Sequence, residues 1–121
     1  MQLLREEEFW NTITHFIGLI ASIIGCTYLI YSNNNLSILS FISIFFFGFG
    51  LIGVYLSSTL YHFISEPVLK EKLRIFDHIS IYYLIAGSYA PVCLITLVDQ
   101  SGIYILIGVS IIAILGTIFK L

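Results

Sequence analysis

Four ionisable side chains, His15, His62, Asp77 and His78, stand beside or within long apolar stretches of this 121-residue chain. Such groups are costly in hydrocarbon and as a rule face the interior of a helix bundle. Ser58 precedes His62 by four residues, so on a helix the two share a face, where a hydroxyl can bond the imidazole and decide which ring nitrogen stays free. The helix face of Asp77 continues through Ser80, Leu84, Ser88 and Pro91, a small and polar stripe expected to line a cavity. Histidine and carboxylate at one depth are ingredients of a zinc site, in which a metal-bound water of lowered pKa, held by the carboxylate, attacks an amide or ester. One histidine with one aspartate does not complete such a site. Each residue also has an ordinary role open to it. His62 can be a hydrogen-bonded histidine at a helix end, Asp77 a helix N-terminal carboxylate or the partner of Arg74, and His15 a packing or hydrogen-bonding residue near Asn11. Cys26 and Cys93 read as small buried residues without metal-ligand spacing, and Glu6, Glu7 and Glu8 as a solvated helix start.

The elements that must position these residues follow from composition. Apolar side chains make up 59% of the chain and charged ones 10%, with a mean hydropathy of +1.02, which leaves too little polar surface for a soluble domain. The net charge of -2 carries little information, since nearly all the charge sits in a few short segments, and no nucleic-acid partner is suggested. Four apolar stretches, at 10–31, 36–64, 75–98 and 102–119, each approach or exceed the roughly 20 residues needed to span a bilayer. The first is too long for a signal-peptide core and lacks a cleavage pattern, so it is expected to remain in the mature protein. The polar runs Ser32-Asn33-Asn34-Asn35 and Asp99-Gln100-Ser101-Gly102 are the expected turns, and residues 65–74, with Pro67 and a charge run, the main aqueous loop. Arg5, Lys70, Lys72, Arg74 and Lys120 then all fall on one side, which the bias of basic residues makes the cytoplasm, so the chain is expected in the cell membrane with both termini on the cytoplasmic side. The long second stretch implies tilt or protrusion into the cytoplasm. On this orientation His15, His62, Asp77 and His78 come to similar depth near the cytoplasmic face. Gly18, Ser22 and Gly25, then Gly50, Gly53 and Ser57, then Ala86 and Ala90 are spaced as packing seams. Phe45, Phe46, Phe47, Tyr82 and Tyr89 read as lipid contacts or core. No repeat or linker divides residues 1–121, so the expected fold is all-α, one polytopic transmembrane bundle of about four helices.

Asn11-x-x-Thr14-His15-x-x-Gly18, Ser57-Ser58-Thr59-Leu60-Tyr61-His62, Asp77-His78 and Ile85-Ala86-Gly87-Ser88-Tyr89-Ala90-Pro91 stand in order along the chain. Together they resemble the hemolysin III family, which is related to the progestin and adipoQ receptors. The resemblance implies a seven-helix bundle with a zinc site on the cytoplasmic side. It implies His62 as a metal ligand, Asp77 as the residue that holds the metal-bound water, and Ser58 as a supporting residue beside them. The family draws its remaining ligands from a His-x-x-x-His in the seventh helix, whereas no histidine follows His78 here. The chain thus resembles the N-terminal part of the bundle, and the missing ligands are expected from further C-terminal helices, from another chain, or not at all.

Three functional classes are compatible with this resemblance. One is a zinc-dependent hydrolase acting on lipid amides, with Asp77 and Ser58 as catalytic residues and His62 on the metal. The second is the pore-forming, cytolytic activity that the family name implies, although pore-lining charge rings are absent. The third is a receptor or membrane-stress sensor without chemistry. The expected partners are the lipid bilayer, a lipid substrate or ligand, and either the missing helices or a second copy.

Overall fold

The computed structural model describes residues 2–34 and 37–121, with side chains from Leu4 onward. Asn35 and Leu36, within the first expected turn and at the expected start of the second helix, lie outside the described residues. Four helices follow one another: α1 (Gln2–Ser32), α2 (Ile38–Phe63), α3 (Pro67–Pro91) and α4 (Gly102–Lys120). A π-helical turn, Val92–Thr96, extends α3. All four are long and apolar enough to cross a membrane, over Leu4–Ser32, Ile38–Phe63, Pro67–Thr96 and Gly102–Lys120. Among the described residues there is no strand, as backbone in hydrocarbon requires of an open chain segment. The protein is an all-α polytopic membrane bundle.

Helices α1 and α3 begin earlier than hydropathy suggests, whereas α4 begins where expected, and the difference that matters most falls between α2 and α3. Residues 65–74 are not a loop. The link is reduced to Ile64-Ser65-Glu66, and the charge run forms the first turns of α3. The Glu66 carboxylate accepts from the backbone N–H groups of Val68 (3.1 Å) and Leu69 (2.7 Å), and Pro67 enters with its φ already helical. A proline read as the end of one helix is here the start of the next. Lys and Glu are strong helix formers, and Glu71 pairs with Arg74 one turn on. Likewise α1 starts at Gln2, so Glu6, Glu7 and Glu8 are helical. At the other end of α3, Pro91 lacks the N–H that would close a turn. The chain widens into the π turn, where Leu97 N–H bonds Val92 C=O at 2.9 Å.

Packing is serial. Helix α1 lies on α2, α2 on α3 and α3 on α4, and among the described residues α1 makes no close backbone approach to α3 or α4. The interior is built of small residues: Ser22, Ser40, Ser43, Ser58, Ala86, Ala90, Cys93 and Ala113 are buried, while Phe49, Tyr104 and Phe119 point outward. This is the arrangement expected where lipid is as apolar as leucine and close backbone approach is what holds helices together. The α2–α3 seam carries the closest approach. A Cβ placed on Gly50 would stand 2.8 Å from Leu84 Cα and Tyr83 O, and one on Gly87 would stand 2.8 Å from Phe46 O. Gly18 abuts the Tyr55 ring across the α1–α2 seam, whereas Gly25 and Gly53, expected in seams, face open space. Cys26 and Cys93 are buried free thiols. Hydroxyls within the helices return to their own backbone, as Ser22 does to Gly18 C=O (2.7 Å) and Thr59 to Tyr55 C=O (2.6 Å), and so satisfy themselves without water.

Candidate functional site

The start of α1, the end of α2 and the start of α3 meet at one end of the bundle, where short links force neighbouring helices to run antiparallel. Glu8, two helical turns before His15, shares its face and leans over the end of α2. One carboxylate oxygen, Oε1, lies 3.2 Å from His62 Nδ1, and the other, Oε2, accepts from Lys70 Nζ at 2.7 Å. Lys70 also donates to the carbonyls of Tyr61 (2.6 Å) and Ile64 (3.2 Å) and sits 4.3 Å from the centre of the Tyr61 ring. It therefore caps the carbonyl end of α2, where a cation is favoured by the helix dipole. One turn deeper, His15 Nδ1 is hydrogen-bonded to Ser58 Oγ. The His15 and His62 rings meet edge to face with centroids 5.3 Å apart. Beside this cluster Arg5, Glu8, Phe9, Ile13, His62 and Lys70 line part of a cleft of about 630 Å³, charged at its rim and apolar within.

Asp77 is a separate feature of the same end. It is the eleventh residue of α3, half-buried, and its carboxylate makes no hydrogen bond or ion pair with any described residue. Both ordinary roles are removed: the helix start belongs to Glu66, and Arg74 pairs with Glu71. His78 is likewise half-buried without a hydrogen bond, ion pair or ring contact to the described residues. Beyond Asp77, Ser80 Oγ meets Ser57 Oγ at 2.9 Å, and both line a cavity of about 630 Å³ between α2, α3 and α4. The expected stripe does not line that one cavity throughout. Ser88 and Pro91 open on a groove of about 390 Å³ shared with Ser32, Asn33 and Ser40. At about 100° per residue, Ser80 and Ser88 differ by about 80° around the helix, enough to face different neighbours.

The structure thus brings His15, Ser58 and His62 together and leaves Asp77 and His78 out of contact with them. Ser58 and His62 share a face as expected, yet the hydroxyl is spent on His15, because the two meet across the α1–α2 seam at the same depth. The residues that complete the surroundings of His62, Glu8 and Lys70, were read in the sequence as a solvated helix start and loop charge. A signal for Glu8 existed in its seven-residue spacing from His15; none existed for Lys70 while its segment was taken as a loop. A zinc ion requires three or four donors, and among the described residues no group of three or more His, Cys, Asp or Glu is arranged to hold a metal. Nδ1 of His62 is engaged by Glu8 and Nδ1 of His15 by Ser58, so in both rings Nε2 lies outside these contacts.

These observations define a polytopic helical membrane protein with a histidine–carboxylate–lysine cluster at one end of the bundle. The chain belongs to the family described as haemolysin-III related, which it matches over residues 4–121. It is 40% identical over 117 residues to the hemolysin-3 homolog of Bacillus subtilis (strain 168), covering 96% of this chain and 55% of that protein. It is 38% identical over 117 residues to hemolysin-3 of Bacillus cereus, covering 96% and 53% respectively. The chain spans about half the length of the curated relatives it matches. No solved structure matches.

Proposed function

We propose that this chain forms the N-terminal part of a zinc-dependent, hydrolase-like seven-helix protein of the cell membrane, acting on lipid amides, with its amino terminus in the cytoplasm. One observation carries the reading: Asp77, an ionisable side chain within a membrane helix, is half-buried and without an ion-pair or hydrogen-bond partner among the described residues. An unpaired carboxylate at that position is a functional group by default, because it has no structural return for its desolvation. His62 offers Nε2 as one ligand, and the other ligands come from outside the described residues. Zinc, when bound, supplies a Lewis acid and a water of lowered pKa. Asp77 is suited to accept a hydrogen bond from a water and to take its proton. Ser58 holds the His15 ring beside His62, and the cleft lined by Phe9, Ile13 and Phe63 suits an acyl chain that approaches from the bilayer.

Protein purified from membranes with the C-terminal region present in its relatives is the material for the test. His62→Ala is expected to lose its zinc by elemental analysis. Asp77→Asn is expected to retain the metal and to release fatty acid from a lipid amide about 100-fold more slowly or worse. Unchanged zinc in the first variant, or undiminished hydrolysis in the second, rejects the reading. Dye leakage from liposomes that persists in both variants would instead support a pore.

A further inference from the structure

We infer that Glu8 is the positioning residue for the His62 imidazole, held in place by Lys70. The inference rests on the proposed role of His62 and adds the part of the chain that makes it competent. A carboxylate only accepts hydrogen bonds, so the 3.2 Å contact between Glu8 Oε1 and His62 Nδ1 requires the proton on Nδ1. In the neutral ring the lone pair is then on Nε2, the nitrogen turned away from Glu8. The carboxylate is itself anchored. Its second oxygen takes the Lys70 ammonium at 2.7 Å, and Lys70 is fixed to α2 by the Tyr61 and Ile64 carbonyls. The residues come from three elements: α1 supplies the carboxylate, α2 the imidazole and its own carbonyl end, and α3 the ammonium. Because α1 and α3 make no close backbone approach, the Glu8–Lys70 pair is also a direct bond between them.

A ring whose free nitrogen is selected by a buried or half-buried carboxylate is the usual companion of a ligand histidine, and loss of that companion costs about 10- to 100-fold in metal affinity. A histidine held merely for packing has no need of a chosen tautomer. His15 shows the same economy at a second point, its Nδ1 being engaged by Ser58, but a hydroxyl both donates and accepts and so does not select the tautomer as a carboxylate does.

The test is nitrogen-15 NMR of histidine-labelled protein, metal-free and at a pH where imidazoles are neutral, with the His62 signals assigned by their loss in His62→Gln. His62 is expected as the Nδ1–H tautomer in the unaltered protein and as a mixture, or as the Nε2–H form, in Glu8→Ala, with Glu8→Asp intermediate. Zinc titrated into the same samples is expected to bind about 10- to 100-fold more weakly to Glu8→Ala. An Nε2–H ring in the unaltered protein overturns the inference without need of any variant, as does a tautomer unmoved by Glu8→Ala. Absence of zinc binding in every sample would sink the metal reading alone, since the tautomer is read without metal. A shifted tautomer with unchanged zinc affinity would overturn the positioning role.

Discussion

Residues at the charged end of the bundle divide by what they touch, and that division was only partly visible in their order. Seven-residue spacing places Glu8 on the face of His15, and four-residue spacing places Ser58 on the face of His62, but spacing within a helix says nothing about which residue of the next helix lies opposite. Lys70 illustrates the consequence. It looks like one charge in a basic run, and it is the residue that satisfies the Tyr61 and Ile64 carbonyls at the end of α2. Replacing Lys70 by Met would leave those carbonyls and Glu8 without their donor while retaining much of the apolar stem. We expect a loss on the order of 1–3 kcal/mol of stability, read as a lower melting temperature in detergent. Lys72, exposed and without such contacts, should tolerate the same change, and equal melting of the two variants would refute the capping role.

At the level of elements, the seams are where sequence pattern and structure agree best and where they can be told apart. Gly50, Ala86 and Ala90, chosen for their spacing, are all buried. Gly87 approaches the backbone of Phe46 and Phe47 as Gly50 approaches that of Tyr83 and Leu84, and spacing along α3 does not mark it because what it meets lies on another helix. A side chain at Gly50 or Gly87 meets backbone, which cannot rotate away, so Gly87→Val should force α2 and α3 apart and destabilise by about 1–3 kcal/mol. Gly53→Ala meets nothing within 4 Å and should be neutral or slightly stabilising through helix propensity. Thermal unfolding in detergent monitored by circular dichroism distinguishes them; a Gly87→Val protein as stable as Gly53→Ala would show that the seam is not tight. The start of α3 was misplaced for a comparable reason. Proline also suits the first position of a helix, and Pro67 stands there, behind a carboxylate cap, so hydropathy reports where the apolar face begins and not where the helix does.

For the whole molecule, the serial arrangement brings the start of α1, the end of α2 and the start of α3 to one end, and Leu121 lines the same cavity as Phe76 and Ser80. The five basic residues are therefore gathered at that end, as their parity in the sequence requires. The cytoplasmic assignment is tested by single cysteines at Ser65 and Gln100 in a background lacking Cys26 and Cys93. Ser65→Cys is expected to resist a membrane-impermeant maleimide applied to intact cells and Gln100→Cys to react; the reverse would invert the topology. The number of helices long and apolar enough to cross, the fold class and the end at which the basic residues gather were legible in the sequence itself, because hydrocarbon admits only helices of a certain length and successive spanning helices alternate in direction. Tertiary structure alone decided that Glu8 faces His62, that Ser58 serves His15, and that Asp77 has no partner among the described residues. Those pairings depend on the rotation and axial offset of separate helices, which are set by how glycines and serines interlock across the seams, and no local spacing carries that information.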